Sequence, residues 1–582
     1  MALTDQEKRS HHISRLAILH TQRSSFEMTW RDIAQNISPR RGRFFQTDVE
    51  YAGRRKEQGI ISGIPRRASR TLAAGLMAGI TSPARPWFRL TVANPDLAEL
   101  ASVKDWLSEV AKRLFLAMAK SNFYTVLHML YGDLGDFCTA AMVIESDDVK
   151  GMHGFSLPLG EYYLAQNDLG EVDTLYRSTA LTVGQLVKKF GIAQCSKRVQ
   201  QLYAEKKFDI YIYVIHVICP REEYDASLKG PKNMPWMSCW FETGGSGASS
   251  YAVSGIPTAD VSQSDIGLLS EKGYEDCPFI AARWTTTGDD TYGTGPGWDA
   301  LGDCKALQLY KRREAQALER MVDPPTYGPR MFGGRPVSLL PGALNWTDAG
   351  QASSEMRPVI VVPPQALAEI RTDIQEVEAQ INATYFVDLW LALSQMNNAQ
   401  PMTAREVSER SSEKLLQLGP VMERIEGEVL NPAVARCFSV EYRAGRIPPP
   451  PQELQGQPFR AEYLSIFAQA AKALASGGVQ QLAGFLQNLA PTKPEIFDNF
   501  DVDKASNAMA DALGVDPQLM VPADKVAALR AARAKQQAAV VQQQQAMAQA
   551  TTAKTLSQAN FGTDSALSRL GGIPANQAGG VQ

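Results

Sequence analysis

Apolar residues recur every three to four positions through much of this 582-residue chain, and the rhythm changes twice. Over 5–38, Ile13, Leu16, Ile18, Leu19, Phe26, Trp30, Ile33 and Ile37 keep helical spacing until Pro39, which cannot continue a helix. Residues 66–80 and 97–131 read as two more helices. In the second, Leu97, Leu100, Val103, Leu107, Val110, Leu114 and Met118 form one apolar stripe. Between them "SPARPW" (82–87) reads as an extended link, because a proline pushes the residue before it out of helical geometry.

From about 136 to 285 the pattern favours strands. "FCTAAMVIES", "FSLPLGEYYLAQ" and "FIAARWTT" are short β-type runs, and "KKFDIYIYVIHVICP" has β-branched and aromatic residues across Ile210–Ile218, which predicts a central strand. "SCWFETGGSGASSYAVSG" ends in a Gly/Ser-rich loop. Helical rhythm returns over 298–322, where Leu301, Leu307, Leu318 and Met321 are expected inward and "KRREAQALER" outward. Residues 323–364 hold eight prolines and read as a small strand-and-loop insert. From Gln365 to Gln400 there is neither Gly nor Pro. Leu367, Ile370, Ile374, Val377, Ile381, Tyr385 and Leu389 predict one unbroken helix on the order of 40 Å long.

That helix runs into "LALSQMNNAQPMTAREV". Every residue between Asp388 and Arg405 is neutral, in a chain that is 21% charged. The restart is encoded: Thr403 and Glu406 have the spacing of a capping box, with Met402 and Val407 placed as its hydrophobic staple. The new helix runs towards Arg436, with Pro420 and Pro432 expected to bend or split it. "GRIPPPPQELQGQ" (445–457) reads as a stiff extended linker. Residues 460–530 read as helical and Ala-rich. The segment 523–560 has high helix propensity but few bulky apolar side chains, which suits packing against copies of itself, and a disordered tail is expected after it.

Composition changes this picture little. A length of 582 implies three or four structural units, and a net charge of -3 is uninformative overall. Locally, 31–90 carries twelve Arg/Lys against four Asp/Glu, with clusters at Arg40-Arg41, Arg54-Arg55 and Arg66-Arg67. Two readings of these clusters stay open: phosphate contacts, or a solvated or intersubunit face. Seven scattered cysteines without a CxxC read as reduced thiols. The N-terminus lacks the apolar core of a secretion signal, and no run approaches the ~18 apolar residues of a membrane span, so a soluble protein with no membrane contact is expected.

Candidate chemistry is sparse. Gly293, Gly295 and Gly297 lack the GK[ST] or strand–GxGxxG–helix context of a phosphate loop and read as a turn before a helix. Asp289 and Asp290 could hold a metal for nucleotidyl transfer, but no second carboxylate motif accompanies them. No catalytic residue, metal site or cofactor is expected. A metal-dependent nuclease using that pair, or a monomeric nucleic-acid-binding protein using the basic clusters, stands as the alternative reading.

Three separated segments carry a resemblance: "RRASRTLAAGLMAGITSPARPWFRL" (66–90), "YGTGPGWDALGDCKALQLYKRREAQAL" (292–318) and "PMTAREVSERSSEKLLQLGPVMERIEGEVLNPAVARCFSV" (401–440) followed by "AGRIPPPP". In this order the chain resembles the head-to-tail connecting, or portal, proteins of short-tailed double-stranded DNA bacteriophages. The resemblance implies a mixed α+β, predominantly helical portal-protein fold with wing, stem, clip and crown regions, assembling as a ring. It implies a wing at 1–297, stem helices at 298–322 and 365–390 around a clip at 323–364, and a tunnel loop at 391–402. A wing/crown-base helix at 403–447, a crown at 448–530 and an Ala/Gln-rich C-terminal helix and tail at 531–582 would follow. The implied partners are further copies of the chain in a dodecamer, double-stranded DNA, terminase, a tail adaptor, and scaffolding and major capsid proteins. The implied location is the portal vertex of the virion, after assembly in the host cytoplasm. Within this frame Ser394, Gln395, Met396, Asn397, Asn398 and Gln400 are expected to line the channel.

Overall fold

The computed structural model describes residues 4–44, 53, 56–94, 97, 100–147, 151–225, 230–243, 267–324, 326–327, 357–358, 362–395, 418–454, 459–464, 504–506, 521 and 523–558. The described chain mixes helix and sheet, with helix in the majority.

Helix α1 (Asp5–Asn36) starts on a capping box: the Thr4 hydroxyl accepts from the Glu7 N–H, and the Glu7 carboxylate accepts from the Thr4 N–H at 2.7 Å. Its buried stripe runs Arg9, His12, Leu16, Leu19, Arg23, Glu27, Trp30 and Ile33, so four polar residues occupy core-facing positions. Ile18, expected in the stripe, is 51% exposed, because the face is set by the three-to-four spacing and not by apolarity alone. Helix α2 (Ile64–Ile80) follows, then strand β1 (Phe88–Val92).

The helix expected over 97–131 is two: α3 (Ala101–Lys120) and α4 (Phe123–Phe137). Asn122 breaks it. Its side chain donates to the Gly154 carbonyl and accepts from the Gly154 N–H, both at 2.8 Å, and this tertiary docking replaces helical hydrogen bonds.

Strands β2 (Thr139–Asp147), β3 (Gly151–Leu157), β4 (Tyr162–Gln166) and β5 (Val172–Thr182) come next, then short helices α5 (Val183–Phe190) and α6 (Lys197–Ala204). Strands β6 (Tyr211–Pro220), β7 (Trp236–Glu242), β8 (Ser270–Tyr274) and β9 (Phe279–Arg283) complete two antiparallel sheets, ordered β3-β2-β9 and β4-β5-β6-β7-β8. The expected central strand is β6, at the middle of the larger sheet. Its Ile215 and Val217 pack with Leu16 and Leu19 of α1, while Val214 packs with Leu186 and Val199 of α5 and α6. Burial on both faces is why it reads as a continuous apolar run.

Helix α7 (Leu301–Val322) leads to a two-residue strand pair, β10 (Thr326–Tyr327) with β11 (Arg357–Pro358), and α8 (Pro364–Thr384) returns. Helix α9 (Val387–Gln395) follows after a break. The chain is again described from 418, where helix passes into a π-helical turn (Glu426–Leu430) and then α10 (Asn431–Arg443). Pro432 has no N–H for the regular ladder, which accounts for the widened turn before it. Strand β12 (Phe459–Tyr463) pairs with β1, from Phe88 opposite Tyr463 to Val92 opposite Phe459, where helix had been expected. Helix α11 (Ala523–Gln558) has no buried residue among those whose side chains are described. The largest core gathers α1, α2, α3, α4, the three-stranded sheet, α8, α9 and α10.

Candidate functional site

The sequence places its candidate site where the two long helices of the hairpin meet the neutral segment. Helix α7 is launched from the glycine-rich turn. A Cβ at Gly297 would stand 1.7 Å from the Asp136 carbonyl oxygen, and one at Gly293 would stand 2.3 Å from that of Cys138. These glycines let the turn lie directly on the end of α4, a packing role that needs no phosphate. Gln308 of α7 then clamps the loop before α2: its carbonyl accepts from Ile61 and Ser62 N–H at 2.7 and 2.9 Å, and its amide donates to Ser62 O at 2.9 Å.

Cys304 and Leu307 of α7 are buried against the body, but Leu318 and Met321, expected inward, are 37% and 40% exposed. They belong to the part of the hairpin that extends past the core. Ion pairs join the two helices there: Lys311 to Glu378 at 3.8 Å, and Arg371 to Glu314 at 3.0 Å.

The 40 Å helix predicted from Gln365 is broken at Tyr385-Phe386, although neither Gly nor Pro is present. Phe386 takes a left-handed backbone (φ 54°), which is unfavourable for such a residue and persists only when tertiary contacts hold it. Those contacts are visible. Tyr385 is fully buried and its hydroxyl lies 3.5 Å from Asp136 Oδ1. Ser38 also donates to that carboxylate, and burial raises its pKa. Beyond the break Leu389 and Trp390 are buried. Trp390 lies on Gly75 of α2, where a Cβ would come within 2.2 Å of the indole ring. The neutral segment is therefore entered from a firmly docked helix.

That helix runs to Gln395, so 391–395, expected as loop, are helical. Ser394 and Gln395 lie in its last turn, while Met396, Asn397, Asn398, Gln400, Thr403 and Glu406 lie outside the described residues. Downstream, Glu428 of the π-helical turn accepts from the Arg283 backbone N–H at 2.9 Å and from its guanidinium at 2.7 and 3.1 Å. Arg283 ends the edge strand β9, so the described chain is tied into the body at Trp390 before the neutral segment and at Glu428 well beyond it.

The basic clusters divide. Arg41 donates to Asp133 at 2.6 Å and to the Met129 carbonyl at 2.8 Å; Asp133 is buried, and burial pushes its carboxyl up to about 6 despite the guanidinium. Arg40 pairs with Glu57 at 2.7 Å. Arg66 is half-buried and Arg67 exposed in the first turns of α2, which hold no acidic residue. Arg54 and Arg55 lie outside the described residues. Asp289 and Asp290 are exposed in a turn. Among the described residues no three His, Cys, Asp or Glu are grouped to hold a metal, and no helix is long and apolar enough to cross a membrane. Sequence reading missed the β1–β12 pairing and the Phe386 break. It also missed the capping box at 4–7, whose T-x-x-E spacing was in plain view.

The chain matches the family model described as bacteriophage head to tail connecting protein over residues 9–521. It is 38% identical to the portal protein of Salmonella phage epsilon15 over 583 aligned residues, covering all of both chains. It is 39% identical to the probable portal protein of Bordetella phage BPP-1 over 540 residues, 93% of this chain and 94% of that one.

Proposed function

The chain belongs to the bacteriophage head-to-tail connecting protein family, and from that premise we propose that it forms the portal ring through which double-stranded DNA enters and leaves the capsid. It acts structurally, not as an enzyme, at the capsid vertex of the virion, after assembly in the host cytoplasm. The finer reading is a dodecamer whose stem is the α7–α8 hairpin. The clip is the insert between those helices, facing terminase during packaging and a tail adaptor afterwards. Residues 1–297 with 403–447 form the wing against capsid and scaffolding proteins, and the chain beyond 448 forms the crown.

The observation that carries this reading is the uncharged segment between Asp388 and Arg405, which continues directly from the helix docked through Trp390. DNA presents a phosphate charge every ~1.7 Å of axis. A cation at the narrowest ring would form charge-assisted contacts that must break at each step, and copies around a ring multiply that drag. Ser394, Gln395, Asn397, Asn398 and Gln400 offer exchangeable neutral hydrogen bonds, and Met396 a soft apolar contact.

Two measurements test this. Light scattering of the purified chain should give a mass of about twelve times 63.7 kDa; a chain that stays monomeric under all assembly conditions argues against a portal. Asn397→Arg with Asn398→Arg should slow packaging, and unchanged packaging and DNA retention would remove the loop from the channel wall.

A further inference from the structure

The hairpin carries opposite charge on its two outer edges. On α7, Arg312, Arg313 and Arg320 are exposed; on α8, Glu369, Asp373 and Glu376 are exposed at i, i+4, i+7 spacing, which makes one stripe. At 3.6 residues per turn, each set lies on the side of its helix away from the hairpin's own seam, which is marked by Leu307, Lys311 and Glu314 on α7 and by Arg371, Ile374 and Glu378 on α8. Among the described residues the five charges other than Arg313 have no ion-pair or hydrogen-bond partner, and Arg313 donates to Gln316 at 3.0 Å. Glu319 and the C-cap residue Asp323 are acidic exceptions exposed near the basic edge.

The two sets also stand at the same height. The ion pairs Lys311–Glu378 and Arg371–Glu314 fix the antiparallel register. They set Arg312 and Arg313 level with Glu376 and Asp373, and Arg320 level with Glu369, to within about 3 Å at 1.5 Å per residue.

We propose that these edges are the stem contact between neighbouring copies of this chain, the Arg312/Arg313/Arg320 edge of one copy facing the Glu369/Asp373/Glu376 edge of the next. Charge complementarity commits the surface to a second copy and to one mode of joining it. Two-fold pairing through either edge would set like charges together, whereas head-to-tail repetition sets opposite charges together at every contact. Equal height means that copies related by rotation alone, without a shift along the helices, bring the charges into line, and that is the condition for a closed ring. Each exposed pair is weak and salt-screened, so the edges select the mode of contact and act by repetition. The inference rests on the portal reading and adds which surfaces meet.

The test uses the full chain, with assembly measured by light scattering and folding by circular dichroism and thermal melting. The variant Glu369→Lys/Asp373→Lys/Glu376→Lys should lose ring assembly, as should Arg312→Glu/Arg313→Glu/Arg320→Glu. A chain carrying all six reversals should regain it, which a merely misfolded hairpin would not do. The neutral variant Glu369→Gln/Asp373→Asn/Glu376→Gln should stay folded and dissociate at lower salt than wild type. Wild-type assembly by either reversed triple, no recovery in the six-fold variant, or an unchanged salt midpoint in the neutral variant overturns the edge contact while leaving the portal reading intact. Failure of the unaltered chain to assemble overturns the portal reading itself.

Discussion

Buried charge in the sheet-containing body finds partners inside the chain, while five of the six charges on the outer edges of the α7–α8 hairpin have no partner among the described residues. In the body, Arg23 is almost fully buried, donates to the Gly160 and Tyr162 carbonyls and to Glu27, and covers the Tyr163 ring at 3.8 Å. Arg436 is 3% exposed and pairs with Asp276 at 2.7 Å while donating to Ile144 O. Each such guanidinium is costly to bury without several hydrogen bonds, although Arg23 Nε itself finds no partner, so these residues favour one packing. On the hairpin, Arg312, Arg320, Glu369 and Glu376 meet solvent. The contrast separates a body whose buried charges are met within the chain from edges whose charges are left to solvent.

The sharpest way to break the comparison is to open the body's core. Trp30 is fully buried, donates to the Phe137 carbonyl and packs edge-on against Tyr292 at 5.1 Å. Trp30→Ala should cost about 3–5 kcal/mol in denaturant unfolding. A cost near zero would mean that the body is not the stable half.

A smaller effect comes from pH. Burial holds the His12 imidazole down to about 4 and His216 well below the usual histidine range. The folded body keeps both neutral, while the unfolded chain takes up protons from about pH 6.5 downwards. Between 6.5 and 4 the unfolded state binds more protons, so this stability is present above 6.5 and is lost as pH falls towards 4. His12 alone contributes up to about 3 kcal/mol across that window. Asp133, pushed up to about 6, acts in the opposite sense over a similar range, so the readout is the difference between variants. His12→Phe keeps the stacking on Phe241 and should lose less stability than wild type between pH 6.5 and 4.5. Identical pH profiles would show that His12 is not held neutral.

Gly75→Val probes the junction between the two regions. The added atoms meet Trp390, and the expected cost is about 1–3 kcal/mol. Trp390→Ala in the same chain should remove most of that added cost, a non-additivity measurable in a double-mutant cycle. Strict additivity would put the clash elsewhere.

The smallest effect is expected at α11. Leu529 and Val540 are 54% and 52% exposed, and their replacement by Ala should leave the unassembled chain within about 0.5 kcal/mol of wild type. A larger loss would give this helix a partner within its own chain.

Much of the fold was legible because it is local. The central strand at β6, the start of α7, the widened turn before Pro432 and the long helix from 523 follow from apolar period, β-branching, proline chemistry and propensity over a few residues. Legibility fails where a distant contact overrides the local signal. Asn122 ends a helix because Gly154 lies opposite it. Phe386 turns left-handed because Tyr385 is drawn into the Asp136 cluster and Trp390 onto Gly75. The strand at Phe88–Val92 takes its form by pairing with Phe459–Tyr463, more than 350 residues away.

The candidate site divides in the same way. Its neutrality between Asp388 and Arg405 is a property of composition, and the sequence determines it unaided. The anchoring of the chain before it on Gly75, and well beyond it through Glu428 on Arg283, is a property of the folded chain. So is the matching height of the hairpin's charged edges, which depends on the register that two ion pairs impose. A sequence states which side chains exist and at what period. Which of them meet is fixed only when burial, close backbone approach and buried charge must all be satisfied at once.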